Sequence, residues 1–330
     1  MKAHSVLLAL FLLIGYTINI VAQVDRNLRF THLTNDNGLP TNTIYSLCQD
    51  FKGFIWIATA NGLCKYDGRS ISVYEVEPTK GERKKGGIIR HVFEDKRHRL
   101  WVITHKGVNL YNRNKDNFNF VSVDSLNNFS RVIYQDDKGK IYMGGSGAFI
   151  YNEQTSKFDP FYVNQDETIT AFITAITSDQ KGQMWFGRMY GGLICADVEN
   201  GKLTRYKHND HNINSLISNK VTSLFTDHHG RIWIGTEDKG ICYFDSSTNK
   251  FIRIEGFPQI CVRTFAEDAE GNIWIGSENG LYIYLSDENK FINYKQNYND
   301  KYSLNDNAIY TIFKDKENNM LVGTYFGGLN

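Results

Sequence analysis

The segment VTSLFTDHHGRIWI at residues 221–234 decides the fold of this 330-residue chain. It recurs as IYSLCQDFKGFIWI at residues 44–57 and as VRTFAEDAEGNIWI at residues 262–275. Each copy holds an aspartate, a glycine three residues later, and then Ile-Trp-Ile. Four looser copies bring the number to seven, with successive aspartates 41 to 48 residues apart: Asp50, Asp95, Asp136, Asp179, Asp227, Asp268 and Asp315. A repeat of this length indicates an array of identical structural units.

Each unit holds four short segments of β-branched and aromatic residues, separated by Gly, Asn and Asp turns. This pattern is typical of an antiparallel four-stranded sheet. The Ile-Trp-Ile segment is polar on neither face, so both faces must be buried, as happens when sheets stack radially. The sequence therefore predicts an all-β, seven-bladed β-propeller over residues 23–330, with the last blade incomplete at the C-terminus.

The recurring aspartates are interpreted as turn residues. In an Asp-x-x-Gly turn the carboxylate accepts backbone N–H bonds, and the fourth residue adopts a left-handed conformation. We expect this conformation at His98 and Asn318, which replace the glycine in two copies. Seven metal-binding or catalytic carboxylates are the alternative, but turn chemistry alone explains the pattern.

Composition excludes several classes of function. With 37 basic and 36 acidic residues the net charge is +1, which is no footprint for nucleic acid or for an anionic membrane surface. The five cysteines are an odd number without close spacing, which argues against a disulfide framework and a Cys-based zinc site, and we expect them reduced in the core. No motif indicates a cofactor, a metal or a catalytic residue.

The N-terminus has the layout of a secretory signal peptide. Lys2 precedes an apolar stretch at residues 6–14, and Ala22 provides a small residue at the expected cleavage site. We predict a signal peptide over residues 1–22 and a periplasmic mature chain without later membrane insertion. An uncleaved membrane anchor is the alternative.

Several motifs resemble a known repeat family. These are GLPTNTI at residues 38–44, DHHGRIWIGT at 227–236, NSLISN at 214–219 and SLNDN at 303–307. They resemble the two-component regulator propeller repeat found in periplasmic sensor regions of hybrid two-component systems of gut Bacteroidetes. The resemblance extends from about residue 28 to residue 330.

The resemblance implies a large sensor protein. Its plan is two consecutive seven-bladed propellers, a β-sandwich, a transmembrane helix and cytoplasmic kinase, receiver and DNA-binding modules. Its ligands are oligosaccharides and its output is the control of polysaccharide utilisation genes. A second propeller or a homodimer partner is implied as well. This chain holds no kinase module, so we expect no enzymatic activity from it.

The sequence stops at Asn330, inside the predicted third strand of blade seven. We expect a fragment of a longer sensor or a truncated, non-signalling product. Residues 28–33 match the fourth-strand pattern and are predicted to pair with blade seven. Because the third strand is cut short, closure of the ring is expected to be poor, which would lower stability.

Ligand-binding candidates lie in the turns between the second and third strands, near the central channel at the top face. Variable loops on a regular scaffold commonly carry function. Aromatic rings can stack on sugar C–H patches while polar groups bind hydroxyls. The candidates are His105, Lys106, Arg188, Tyr190, Glu237, Asp238, Lys239, Glu278, Asn279 and Tyr325. Ordinary solvated turn residues are one alternative, and a propeller glycan lyase or hydrolase using Glu237 or Glu278 is another.

Overall fold

The fold is a β-propeller of antiparallel blades, seen in a computed structural model. The structure describes residues 28–76, 87–123, 130–164 and 167–330. The predicted signal peptide, residues 1–22, lies outside the described residues.

Six blades are four-stranded meanders in which consecutive strands pair. Blade one contains β1 (Ile44–Gln49), β2 (Ile55–Thr59), β3 (Gly62–Tyr66) and β4 (Ile71–Tyr74). Blade two contains β5 (Ile89–Glu94), β6 (Leu100–Thr104), β7 (Gly107–Asn112) and β8 (Asn117–Val121). Blade three contains β9 (Ser130–Gln135), β10 (Ile141–Gly145), β11 (Ala148–Asn152) and β12 (Lys157–Pro160). A small hairpin follows it, formed by β13 (Tyr162–Asn164) and β14 (Glu167–Thr168).

Three more four-stranded blades and a two-stranded sheet complete the order. Blade four contains β15 (Ile173–Ser178), β16 (Met184–Arg188), β17 (Leu193–Asp197) and β18 (Lys202–Tyr206). Blade five contains β19 (Val221–Thr226), β20 (Ile232–Thr236), β21 (Ile241–Asp245) and β22 (Lys250–Arg253). Blade six contains β23 (Val262–Glu267), β24 (Ile273–Ser277), β25 (Gly280–Leu285) and β26 (Lys290–Tyr294). The seventh sheet contains β27 (Ile309–Lys314) and β28 (Met320–Thr324). One 3₁₀ turn, Asn35–Asn37, precedes blade one.

The predicted propeller of four-stranded antiparallel blades is confirmed, with a correction to the count. The described residues form six four-stranded blades, not seven, because the seventh repeat provides only the two strands β27 and β28. Each first strand packs against the first strand of the next sheet around the ring, and β27 packs against both β23 and β1.

The outer part of the seventh sheet consists of single bridges. Leu33 and Leu329 exchange two backbone hydrogen bonds of 2.8 and 2.9 Å, and Leu329 also bridges to Gly323. The fourth strand predicted over residues 28–33 is thus a one-residue bridge in this structure. The inner ring closes all the same, so the poor closure expected from the sequence is found only in the outer part.

The core lies between neighbouring sheets. In the described residues there are seven apolar clusters, and each joins one sheet to the next. The cluster between the seventh sheet and blade one includes Ile44, Leu47 and Leu329. The tryptophans of the repeat are buried, which confirms that neither face of the second strand meets water: Trp56, Trp101, Trp185, Trp233 and Trp274.

The two ends of the propeller are defined by its turns. The Asp-x-x-Gly turns join first to second strands, and we call that end the bottom. At the opposite end, the top, the residue after the second strand bonds to the residue before the first strand. Examples are Glu237 N–H to Lys220 O at 3.0 Å and Tyr325 N–H to Ala308 O at 3.0 Å. The turns between second and third strands therefore lie at the top, as predicted.

All seven Asp-x-x-Gly turns have the predicted structural role. The Asp227 Oδ1 atom accepts the Arg231 N–H at 2.9 Å, and its Oδ2 accepts the Trp233 indole N–H at 2.8 Å. His98 and Asn318 adopt φ of 62° and 67°. The indole bond was not predicted, and it links the turn to the blade core in the five blades that carry the tryptophan.

Candidate functional site

A cavity of about 480 Å³ occupies the central channel. Its walls are the second to fourth residues of the first strands, with Tyr325 added from a top turn. Since these strands run from the top toward the Asp-x-x-Gly turns, the cavity lies in the top half of the channel. Its volume is within the range of small-molecule sites, about 300 to 1,000 Å³.

The same backbone irregularity occurs in every first strand. Each strand has a β-bulge at its second residue, where the register to the second strand shifts. A bulge breaks the alternation of the strand and re-aims one side chain. The seven bulged residues all line the cavity: Tyr45, Arg90, Arg131, Thr174, Thr222, Arg263 and Tyr310.

Three of the bulged residues are arginines, and they make the channel basic. No aspartate or glutamate is among the described residues that line it. Arg263 has a carboxylate partner at the rim, because its Nε donates to Glu278 at 2.6 Å. Arg90 Nε is buried and has no hydrogen-bond partner in the described part of the chain. Burial and the neighbouring guanidinium groups of Arg263 and Arg90 lower the pKa of Arg131.

Tyrosines form a band on one side of the channel. Tyr310 lies 5.0 Å from Tyr325 in a stacked arrangement and 5.9 Å from Tyr45 between ring centroids. The Arg263 guanidinium lies 4.6 Å from the Tyr310 ring, and that of Arg90 lies 5.4 Å from the Tyr45 ring. Such cation–π contacts hold arginine side chains against aromatic walls.

His91 also lines the channel, but it adds no positive charge. Burial lowers the pKa of His91 to about 4, so its ring is neutral at pH 7. Its Nδ1 lies 3.3 Å from Ser46 Oγ. The charge of the channel wall at neutral pH therefore comes from the arginines.

Among the predicted ligand-binding residues, Tyr325 lines the cavity and Glu278 binds a residue that lines it. The other candidates occupy the top turns without lining the cavity. Tyr190 is 73% exposed, and the Arg188 guanidinium donates to the Gly191 carbonyl in its own turn. His105, Lys106 and Asn279 are exposed.

The remaining candidates are engaged with rim neighbours. Lys220 forms ion pairs with Glu237 at 3.2 Å and with Asp238 at 3.7 Å, and Ser218 donates to Asp238 at 2.7 Å. Lys239 Nζ lies 3.4 Å from Gln259 Oε1. These side chains form a polar rim around the channel mouth.

The sequence interpretation missed the arginines of the channel, although a signal was present. They occupy the position five residues before the repeat aspartate. The residue just before this position is aliphatic in six of the seven copies. Across the seven copies this position reads Tyr, Arg, Arg, Thr, Thr, Arg, Tyr. When the side chain at one position of a repeated strand varies in size and charge from copy to copy, that side chain is not packed in the core.

The cysteines are free thiols, as predicted. Four are buried, and burial raises the pKa of Cys48, Cys64, Cys195 and Cys242 to about 12. Cys261 is partly exposed near the top of blade six. Among the residues described by the structure, no helix has the length and apolar character that crossing a membrane requires.

Two solved structures with the same architecture are extracellular domains assigned to two component systems. An extracellular domain assigned to a hybrid two component system of B. thetaiotaomicron aligns with a TM-score of 0.78 at 24% identity, over 92% of this chain and 41% of the other. A second such domain from the same organism aligns with a TM-score of 0.77 at 26% identity, over 92% of this chain and 39% of the other. The chain thus spans about 40% of the length of these two relatives.

An enzyme shares the fold at lower identity. A catalytically inactive virginiamycin B lyase from Staphylococcus aureus with quinupristin aligns with a TM-score of 0.69 at 16% identity, over 92% of this chain and 97% of the other. This likeness shows a common fold and nothing further. No curated protein matches the chain.

The repeats themselves match one family. The two component regulator propeller repeat matches residues 38–61, 215–238, 256–279 and 303–326. These segments include the bottom turns of blades one, five and six and of the seventh sheet. The resemblance predicted from the sequence is confirmed for these segments: four of the seven repeats of this β-propeller match the two component regulator propeller.

Proposed function

We propose that this chain is the ligand-sensing propeller of an extracytoplasmic sensor of the two-component type, and that its ligand is an oligosaccharide. The single observation that carries the proposal is the cavity of about 480 Å³ at the top of the channel, lined by bulged residues from all seven sheets. Because every repeat contributes one variable side chain to the cavity wall, substitutions at these positions can fit the cavity to a ligand while the scaffold stays the same.

The chemistry of the wall suits a sugar. Tyr45, Tyr310 and Tyr325 present ring faces or edges, while Thr174, Thr222 and the arginines provide hydrogen-bonding groups. Aromatic rings cover apolar C–H patches and polar groups bind hydroxyls. The rim of charged residues around the mouth would meet parts of the ligand that extend out of the channel.

The proposed role is binding, without turnover. The carboxylates considered for catalysis are held in ion pairs, Glu237 with Lys220 and Glu278 with Arg263. No aspartate or glutamate is among the described residues that line the cavity. Solved relatives that are extracellular domains of two-component systems favour the same interpretation.

Export and partners are part of the proposal. We expect cleavage after Ala22, a periplasmic location, and signalling through a second propeller or a second copy of the sensor. Binding would then act by shifting the population of two arrangements of these domains. N-terminal sequencing of the product from a periplasmic fraction tests the first step, and Gln23 as first residue is the expected result.

The ligand itself can be found by thermal unfolding of the purified chain with a panel of neutral and acidic oligosaccharides. A ligand that binds the folded state raises the melting temperature by mass action. We expect at least one oligosaccharide to do so, with no loss of the sugar on prolonged incubation. The control is Tyr325→Ala, which should weaken that shift while leaving unliganded stability nearly unchanged.

Two results would contradict the proposal. If no glycan in the panel changes the melting temperature, ligand sensing by this propeller is wrong. If the chain converts a glycan to product, the binding role gives way to an enzymatic one.

A further inference from the structure

The arginines of the channel are arranged in an unusual way for side chains with only a structural role. Arg90 and Arg131 come from neighbouring blades, and Arg263 comes from the far side of the ring. Arg263 alone has a carboxylate partner, Glu278; neither Arg90 nor Arg131 forms an ion pair within the described residues. Two guanidinium groups thus face the cavity without a counter-charge.

Holding such groups in a narrow channel is costly. A guanidinium remains protonated in proteins, so the free-energy cost of its desolvation cannot be avoided by loss of the charge. Removing an unpaired charge from bulk water is unfavourable, and like charges close together add to the penalty. The buried, unpartnered Nε of Arg90 adds an unsatisfied donor to the same wall. An anion in the cavity would relieve all three costs together.

The arginines occupy a position where the fold does not require a charged residue. Each sits at a β-bulge, the device that turns the second residue of the first strand into the channel. Threonine, a neutral residue, occupies the same position in blades four and five. The scaffold therefore tolerates a neutral residue at this position, and arginine there is not needed for the propeller to form.

We propose that the channel binds the anionic group of an acidic sugar, a carboxylate or a sulfate, with Arg131 and Arg90 as its principal ligands. This inference rests on the proposed function and names the chemical class of its ligand. The planar guanidinium fork matches carboxylate and sulfate oxygens in two-point hydrogen bonds. Arg263, neutralised by Glu278, adds a weaker contribution from across the channel.

The tyrosine band defines where the sugar ring would lie. Tyr310 and Tyr45 lie between Arg263 and Arg90 around the ring, so an anion bound by the arginines places its sugar beside these rings. A neutral sugar would find the same rings but would leave two charges uncompensated. The channel should therefore prefer an acidic sugar to its neutral counterpart.

The test is calorimetric titration of the chain, at constant ionic strength, with matched acidic and neutral probes. The probes are trigalacturonate and its methyl ester, a sulfated disaccharide and its desulfated form, and inorganic sulfate alone. We expect an acidic probe to bind about tenfold or more tightly than its neutral counterpart. The carboxylate and sulfate arms distinguish the two sources of the anion.

Three variants locate the effect. Arg131→Gln should weaken binding of the acidic probe by about tenfold or more and abolish the preference over the neutral probe. Arg131→Lys keeps the charge and should restore part of the affinity. The matched control is Arg253→Gln, which removes an exposed arginine on the outermost strand β22 and should leave binding unchanged.

Every other result overturns the inference in a distinguishable way. If a neutral glycan binds as tightly as its acidic counterpart and Arg131→Gln has no effect, the channel senses a sugar without reading its charge, and the proposed function stands. If Arg131→Gln and Arg253→Gln weaken binding equally, the attraction is nonspecific. If no acidic probe binds while a neutral oligosaccharide of the panel raises the melting temperature, the inference is wrong and the proposed function stands; the proposed function fails if the whole panel leaves the melting temperature unchanged.

Discussion

The two ends of this propeller are built from the same strands for opposite purposes. At the bottom, the same aspartate turn occurs in every sheet, and each carboxylate accepts a hydrogen bond from a backbone N–H of its own turn. At the top, five residues earlier in the same strands, the side chains differ from sheet to sheet, and two arginines have no carboxylate partner among the residues that the structure describes. Repetition at one end provides stability, which leaves the other end free to vary.

Contacts between sheets sharpen the difference. Hydrogen bonds near the bottom join every pair of neighbouring sheets in the ring: Arg113 to Asp50, Lys96 to Gln135, Tyr134 to Ser178, Thr226 to Ser178, His228 to Glu267, Lys314 to Asp268, and Lys316 to Asp50. The bottom is thus a continuous hydrogen-bonded ring. We expect substitutions there to reduce stability and substitutions in the channel to change binding.

The largest effect is expected from Trp233→Ala. Trp233 is completely buried between blades five and six, and its indole N–H donates to Asp227. Loss of the ring should lower the free energy of unfolding by about 3 to 5 kcal/mol through lost burial and a cavity. Urea denaturation measures this change.

Tyr190→Ala is the matched aromatic substitution at the top. Because Tyr190 is 73% exposed, the change should remain within about 0.5 kcal/mol. Equal losses in the two variants would contradict the division between the ends.

Asp227→Ala should have the next largest effect. It leaves the Arg231 backbone N–H and the buried Trp233 indole N–H without their acceptor. The expected loss of stability is about 1 to 3 kcal/mol, the cost of unsatisfied buried donors. Asp238→Ala, at the top rim, is the control for charge and size and should cost far less in the same thermal-unfolding experiment.

The pH dependence of the bottom ring follows from Asp50. Burial opposes its ionisation, but hydrogen bonds from Trp56 and Arg113 outweigh burial and lower the pKa of Asp50. A lowered folded-state pKa means that the carboxylate stabilises the fold above its unfolded value, about 3.9, and loses this contribution as the pH falls below it.

Arg113→Gln tests this dependence. At pH 7 it should cost about 1 kcal/mol, because Arg113 joins Asp50 to Glu94 across blades one and two. The difference from the parent protein should shrink as the pH falls below about 4 and toward the lowered folded-state pKa of Asp50, because the unfolded chain binds its proton first. A difference that is constant from pH 7 to pH 3 would show that Arg113 acts by packing alone.

The smallest expected effect on the free energy of unfolding is an increase, in contrast to the losses predicted above. Arg131→Gln, measured without ligand, should leave stability unchanged or raise it by up to about 1 kcal/mol, because an unpaired charge is removed. A change in melting temperature is the readout. A loss above about 1 kcal/mol would place Arg131 among the structural residues and undo the contrast between the two ends.

Much of the fold was predictable because its determinants are local. An aspartate turn, a left-handed residue at Gly230 or His98, and an apolar second strand are each encoded within a few residues. The seventh sheet was harder to predict, because its outer part depends on Leu33 and Leu329, which are far apart in the sequence. A local sequence pattern does not predict whether segments so far apart form a single bridge or a full pair of strands.

The candidate site was only partly predictable, for a similar reason. The top turns were placed correctly, and of the predicted ligand-binding residues Tyr325 lines the cavity and Glu278 contacts Arg263. Arg90, Arg131 and Arg263 were not among the predicted residues. Regular alternation of a strand does not place the second residue of β5, β9 or β23 in the channel. The β-bulges do so, and they become visible only when the first strand is paired with the second.

The sequence by itself determined the repeat, the blade and its turns, because these depend on contacts between residues close in the chain. The tertiary structure alone decided how the ring closes and which side chains share the channel. Arg90, Arg131 and Arg263 are separated by 41 and 132 residues in the sequence, and only the closed ring makes them neighbours of one cavity. The candidate site lies where the first strands of all seven sheets meet, and only closure of the whole ring forms it.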